Sequence, residues 1–330
     1  MSKTKTKKKI FRFLKFLFFL FVILLISGYI YFNLTYPKTD PAPKLEIYPS
    51  PERIERGDYL VNHVTVCLSC HSSRDWTKFS GPEIPGTEGM GGEKFEEGFP
   101  GTIYAGNITP SGISDWTNGE VLRAITTGVT KNNQVLFPLM PYLEYYNLRM
   151  EDLYSVIVYL RTLTSIVNEV PVSSINFPTN LILKTIPPKS YRPINSVDES
   201  NSIEYGKYLV TIAACRNCHT PMTDGKFNDD MNFAGGTHFS IEGGIVRSAN
   251  ITPDIETGIG SWTREDFINR FEQYKDKNIN VNQGEFNTVM PWISYAGITN
   301  KDLNAIYDYL KSIPPIHNKI EKFTSLKKNK

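Results

Sequence analysis

No cysteine is left over in this chain: the four that occur in 330 residues all fall within two copies of one short pattern. No acidic residue occurs among the first fifteen positions, where seven of the 36 basic residues gather (Lys3, Lys5, Lys7, Lys8, Lys9, Arg12 and Lys15). The formal net charge of +2 therefore hides a body with 29 basic against 34 acidic groups. No charged residue occurs from Phe16 to Pro37, and Phe16–Ile26 is wholly apolar. A helix of about 20 apolar residues crosses a bilayer core, so the basic end belongs with a membrane span and not with nucleic acid.

Lys/Arg before a span sets the N-terminus in the cytoplasm, with Tyr29, Tyr31 and Tyr36 suited to the far interface. A cleaved signal peptide is the alternative, but Ile26-Ser-Gly-Tyr-Ile-Tyr-Phe offers no A-x-A-like site. No cysteine precedes the first pattern, which argues against a lipid anchor. The expectation is a basic cytoplasmic end (1–15), an uncleaved signal anchor (16–36) and a proline-marked tether (37–50). Everything beyond is expected on the outer, periplasmic side of the cytoplasmic membrane.

The rest of the chain is a duplication. Gly57-Asp-Tyr-Leu-Val answers Gly206-Lys-Tyr-Leu-Val, ten and nine residues before a cysteine. Asn107-Ile-Thr-Pro answers Asn250-Ile-Thr-Pro, Trp116-Thr answers Trp262-Thr, and Met140-Pro-Tyr answers Met290-Pro-Trp, all at offsets of 143 to 150 residues. Offsets this long mark repeated domains, not a short-period solenoid. The boundaries expected are 51–168 and 200–318, with a segment 169–199 between them (Pro171, Pro178, Pro187, Pro188, Pro193) and a basic tail 319–330. The middle segment carries Leu181-Ile-Leu and is expected to lie along the domain surfaces. Lys327–Lys330 is expected to be disordered.

Helical signals recur in three places per repeat. One leads into each cysteine pattern. A second starts at Thr117-Asn-Gly-Glu120, a capping box, and at its weaker relative Thr263-Arg-Glu-Asp266. The third carries Leu153, Val156, Ile157, Leu160 and Leu303, Ile306, Tyr307, Leu310 at i, i+3, i+4, i+7, with Thr299 as a cap. Long Gly-rich loops, Gly86–Gly101 and Gly235–Gly244, separate them. Loops of that length count against a compact domain unless a large apolar cofactor replaces the missing core.

The cysteine patterns are Cys67-Leu-Ser-Cys70-His71 and Cys215-Arg-Asn-Cys218-His219. C-x-x-C-H attaches c-type haem, two thiols holding the porphyrin and the histidine the iron. A zinc site or a disulfide pair is the alternative, but zinc clusters set C-x-x-C units about 15–20 residues apart. These lie nearly 150 apart. Two covalently bound haem c groups are expected. Of seven methionines, Met140 and Met290 alone sit at equivalent positions, 69 and 71 residues past the histidines. Both precede proline and are the expected sixth iron ligands, as in electron carriers; a gap-filling core role is the alternative. The indoles of Trp116 and Trp262 need acceptors when buried, either a haem propionate or a backbone carbonyl. Asn107 and Asn250 either donate to a propionate or close a tight turn. His63, His238 and His317 read as surface or core histidines.

In order, Gly-x-Tyr-Leu-Val, C-x-x-C-H, Gly-Gly, Asn-Ile-Thr-Pro-Asp-x-x-Thr-Gly-Ile-Gly-x-Trp, Met-Pro-Trp and Asp-Leu-x-Ala-x-x-x-Tyr-Leu resemble the cytochrome c family. The likeness is greater still to the multihaem cytochrome c subunits of membrane-bound bacterial dehydrogenases of alcohols and sugar acids. It covers about residues 52–164 and 200–313, most closely Asn250–Trp262, and the first repeat departs from it at the shortened loop Ser111–Ser114. The resemblance implies an all-α chain of two tandem class I cytochrome c-like domains with long loops behind one transmembrane helix. It implies that Gly57 meets Tyr159 and Gly206 meets Tyr309 where the first and last helices cross. It also carries the iron ligands onto His71, Met140, His219 and Met290. Those subunits commonly hold three haem motifs and a C-terminal anchor, whereas two motifs and an N-terminal anchor stand here.

The function expected is single-electron transfer from a dehydrogenase or quinol oxidoreductase to an oxidase or soluble cytochrome. Rival readings are a fixed cytochrome subunit of a larger oxidoreductase and a dihaem peroxidase, which needs an open iron. A haem sensor is disfavoured, because only about fifteen residues remain inside the cytoplasm for signalling.

Overall fold

The computed structural model describes residues 2–326 apart from Arg192, Pro193, Asn195, Asp224 and Gln283. Pro193 and the tail Lys327–Lys330, both named above, lie outside the described residues. Seven helices carry the fold: α1 Ser2–Thr35, α2 Pro51–Tyr59, α3 Asn118–Thr127, α4 Met150–Thr162, α5 Ser202–Ile212, α6 Arg264–Glu272 and α7 Asn300–Ser312. Within α1, Lys9–Thr35 is long and apolar enough to cross a membrane.

Each repeat is built on a first, a middle and a last helix. Ser50 caps α2, with Pro51 in the first turn. Thr117 and Glu120 form a reciprocal capping box at α3, and Thr263 with Asp266 forms another at α6. Asn201 caps α5 and Thr299 caps α7. The helical stripes point inward: Leu153, Val156, Ile157 and Leu160 are buried, as are Leu303, Ile306 and Leu310.

The first and last helices of each repeat cross backbone to backbone. A Cβ added at Gly57 would overlap the Ser155 carbonyl oxygen and come within 2.6 Å of the Tyr159 Cβ. At Gly206 it would overlap the Ala305 carbonyl oxygen and lie 3.0 Å from the Tyr309 Cβ. Only glycine permits this approach.

One residue of extra length distinguishes the first repeat, and the helix absorbs it. Leu60–Val64 winds as a π-turn continuing α2, whereas α5 stays α-helical to Ile212. Such single-turn bulges accommodate an inserted residue without unravelling the helix. The inserted turn carries His63, the histidine without a counterpart.

The expectation of an all-α chain was too narrow. Helices make the core, but three small antiparallel sheets shape the loops among the described residues. β1 (Lys94–Phe95) and β2 (Gly101–Tyr104) form a hairpin that β3 (Ser174–Ile175) extends. β4 (Met222–Thr223) pairs β5 (Lys226–Phe227). β6 (His238–Ile241) and β7 (Gly244–Arg247) repeat the first hairpin, with β8 (Phe323–Ser325) as the added strand. Thus each Gly-rich loop folds as the same hairpin, and the segment after each repeat covers its edge.

The segments expected as tether and spacer both lie on the first repeat. Leu45 and Ile47 pack against the core, and Gly119 of α3 leaves room for the Pro43 carbonyl. Between the repeats, Leu183 is buried, and Tyr191 donates a hydrogen bond to the Leu148 carbonyl.

The repeats meet by exchanging one contact. Tyr59 of α2 donates to Asp302 of α7 (2.7 Å), and Tyr208 of α5 donates to Asp152 of α4 (2.5 Å). Asp152 is nearly inaccessible (1 %) and also meets Arg56 and Arg149 at 2.8 and 2.9 Å. Burial alone would raise its pKa, but the hydrogen bond and charge of Arg56, then Tyr208 and Arg149, hold it below the ordinary carboxylate range. Folding thus favours the ionised form. The stabilisation is complete above the unfolded pKa and is lost as pH falls through the lowered one. Asp152→Asn, which strands Arg56 and leaves Arg149 only its pair with Glu199, is expected to cost about 3–5 kcal/mol at neutral pH in a urea titration. That difference should shrink once pH drops below about 4; a pH-independent difference would contradict the account.

Candidate functional site

Each cysteine pattern sits where a first helix ends. The chain breaks into the left-handed region at Val66 (φ +43°) and at Ala214 (φ +52°), the residues just before Cys67 and Cys215. That conformation is costly for a β-branched residue, and its recurrence in both repeats ties it to the turn that follows. Helical turns Leu68–His71 and Cys215–His219 come next. First cysteine, second cysteine and histidine then stand at i, i+3 and i+4, on one face.

All four cysteines are free. Burial pushes the Cys67 thiol up to about 11, opposed by a 3.3 Å hydrogen bond with the Thr65 hydroxyl, and pushes Cys215 up to about 12. Burial raises Cys70 as well, and Cys218 to about 11 with the neighbouring Cys70 adding to the effect. Buried thiols raised in this way are poor nucleophiles. Among the described residues no three His, Cys, Asp or Glu side chains converge as a metal site.

The histidines are oriented identically. His71 Nδ1–H donates to the Gly106 carbonyl and His219 Nδ1–H to the Ala249 carbonyl, both at 2.7 Å. Burial lowers both pKa values, with the carbonyl bond opposing it, which favours neutral imidazole. With Nδ1 carrying the proton, Nε2 keeps its lone pair, the tautomer of a metal-binding histidine.

Asn107 and Asn250 follow those two carbonyls. Each amide oxygen accepts from the backbone N–H and hydroxyl of the threonine two residues on, Thr109 or Thr252. The amide nitrogens donate to the Ile166 and Ile316 carbonyls, and Asn250 also to the Thr257 hydroxyl. The structure thus gives these asparagines a turn-closing role that holds each histidine's acceptor in place.

Cys67, His71 and Met140 open into one apolar cleft, walled by Ile108, Ile125, Leu148 and Leu160. In the second repeat, Cys215 and Met290 pack against the apolar cluster of Phe233, Ile259, Phe267 and Leu310. A neutral imidazole nitrogen, a thioether and two thiols along an apolar wall fit a haem c. Trp116 and Trp262 border the same cluster. Their backbone carbonyls accept from Arg161 and Tyr307, and no bond from either indole N–H to a described residue is formed. None of the three other histidines lines the cleft. His63 donates from Nδ1 to the Ser294 carbonyl at 2.8 Å, across the repeat interface. His317 lies 3.5 Å from Asp254, and His238 opens β6.

Two sets of residues escaped the sequence reading. Tyr145 donates to the Thr65 carbonyl and Tyr295 to the Ala213 carbonyl, tying each methionine loop to the turn before the cysteines. Each tyrosine stands five residues past its methionine, a match within the repeat that could have flagged it. The second set has no symmetry. Ser80 of the first repeat donates to the Met290 carbonyl (2.5 Å) and accepts from Trp292 N–H (2.9 Å). Asn287 accepts from Ser80 N–H and donates to the Trp76 and Lys78 carbonyls. Phe79 stacks on Tyr274. The first repeat therefore clasps the Met290 loop.

No family model matches the chain. It is similar to the cytochrome c subunit of a quinone-dependent alcohol dehydrogenase from Komagataeibacter europaeus, 27% identical over 280 residues, 80% of this chain and 56% of that protein. It is similar to the gluconate 2-dehydrogenase cytochrome c subunit of Pantoea cypripedii, 28% identical over 284 residues, 79% of this chain and 59% of that one. It is also similar to a dihaem c-type cytochrome of Cereibacter sphaeroides, 27% identical over 270 residues, 76% and 82% of the two chains. The chain thus spans less than three-fifths of the two dehydrogenase subunits and about four-fifths of the dihaem protein. The resemblance read from its motifs is borne out.

Ser80→Ala should lower stability in urea by about 0.5–1.5 kcal/mol, because it removes the hydroxyl's bonds to the Met290 loop while Trp292 N–H keeps the Met290 carbonyl as its acceptor (2.8 Å). Limited proteolysis should open residues 286–292 and spare 137–142; equal opening of both loops would contradict the clasp.

Proposed function

We propose that this chain is a membrane-anchored dihaem cytochrome c that relays single electrons through two tandem domains, 51–168 and 200–318. The observation carrying the reading is the paired histidine geometry. In both repeats the imidazole is held through Nδ1 by a loop carbonyl, and in the first His71 shares an apolar cleft with a thioether. Bound haem c supplies one-electron iron chemistry. Cys67 with Cys70, and Cys215 with Cys218, would hold the two groups as thioethers. His71 and His219 would bind iron through Nε2, and Met140 and Met290 would fill the sixth positions. The indole N–H groups of Trp116 and Trp262, unbonded among the described residues, suit propionates, while Asn107 and Asn250 keep the carbonyl loops fixed.

Irons capped in this way would favour electron transfer over ligand chemistry, which sets a dihaem peroxidase last. The α1 helix would hold the chain in the cytoplasmic membrane, its N-terminus inside and both domains on the periplasmic face. The net-acidic body favours partners with basic docking patches and salt-sensitive rates. Donors of fitting chemistry are a dehydrogenase or a quinol oxidoreductase; acceptors are an oxidase or a soluble cytochrome. That relatives are named as dehydrogenase subunits favours, as a second reading, a fixed subunit in such a complex. Co-purification after mild solubilisation separates that from a free carrier.

Met140→Ala and Met290→Ala are each expected to abolish about half of the red-end methionine–iron absorption and to lower one of two potentials in a redox titration. The double variant should lose the band entirely. Peroxide turnover by the wild-type protein would overturn the proposal.

A further inference from the structure

The segment 176–189 returns to the membrane end of α1. Lys184 Nζ donates to Asn33 Oδ1 (2.6 Å) in the last turn of that helix. Just beyond it, the Thr39 hydroxyl donates to the Pro188 carbonyl and Asp40 N–H to the Lys189 carbonyl. At 1.5 Å per residue, Phe16–Thr35 spans about 30 Å, the thickness of a bilayer's hydrocarbon core. Asn33 then lies within about 3 Å of the outer edge of that core. Whatever hydrogen-bonds to Asn33 must sit at the membrane–water boundary.

At this level the segment exposes apolar side chains. Its short helical turn Thr179–Ile182 leaves Ile182 55% exposed, and Phe177 just before it is 78% exposed, while Leu183 turns inward at 5%. The turn is fixed from both sides, by Asn176 N–H on the Pro100 carbonyl (2.8 Å) and by Lys184 on α1. Lys38 and Lys189 are exposed beside it, where lipid phosphates would lie.

We propose that Phe177 and Ile182 form a second membrane contact, inserted among the acyl chains of the outer leaflet while Lys38 and Lys189 meet its phosphates. The inference rests on reading α1 as the membrane anchor. An amphipathic surface of this kind binds in proportion to its buried apolar area. One helix alone lets a domain rotate about the helix axis; a second contact point fixes its orientation over the bilayer.

The test uses the full chain in nanodiscs of phosphatidylethanolamine and phosphatidylglycerol doped with a phospholipid carrying a photoreactive acyl chain. Adducts are mapped by mass spectrometry. Wild type should label α1 and the peptide spanning 176–186. Phe177→Asp combined with Ile182→Asp should lower labelling of that peptide about five-fold or more, as expected from loss of apolar insertion, with α1 labelling unchanged. Should the double variant fail to fold, the wild-type map decides alone. Adducts on α1 only, including the case where a protein partner covers the segment, overturn the second contact. Adducts on neither overturn the anchor itself, and haem absorption of the same sample reports separately on the redox reading.

Discussion

In each repeat a backbone carbonyl of the last helix lies where a side chain of the first would otherwise stand. Ser155 and Ala305 press against Gly57 and Gly206, and this contact sets the crossing angle and the distance between the two helices. The helix axis then delivers Val66 or Ala214 to the mouth of an apolar space, and the left-handed turn there swings two thiols and an imidazole into it. The loops contribute acceptors more than packing: Gly106 and Ala249 face the histidines because Asn107 and Asn250 spend their amides on holding the turn. Remove the helix crossing and none of these groups has a fixed address.

The second constraint is the reciprocal contact between the repeats. Tyr59 with Asp302 and Tyr208 with Asp152 relate the halves as the two sides of an isologous dimer are related. A duplicated chain inherits such an arrangement easily, because one surface solves both sides of the interface. The halves have since diverged around it. Asp152 gathered two arginines, and the π-turn brought His63 to Ser294. The Ser80 loop reached across to Met290.

Much of this was legible in the sequence, for identifiable reasons. The cysteine patterns, the capping boxes at Thr117 and Thr263 and the stripes on α4 and α7 are local, so spacing alone displays them. The repeat exposed Met140 and Met290, and the family resemblance named the glycine contacts. What stayed hidden depends on backbone atoms or on chain pairs far apart in sequence. Gly106 and Ala249 act through carbonyls that any residue carries. Strands of two to four residues, such as Lys94–Phe95, leave no alternation to detect. The extra residue before Cys67 was visible as a difference in length, but a π-turn and a loop look alike on paper. Ser80 and Asn287 lie more than 200 positions apart, and no repeat symmetry relates them.

The clasp on the Met290 loop has a direction in time. The chain is made from its N-terminus, so the residues around Ser80 are in place before those around Met290. The earlier half supplies a brace for the later half's methionine loop. Maturation can therefore proceed in the order of synthesis: the first site closes on its own residues, and the second closes against a surface already folded.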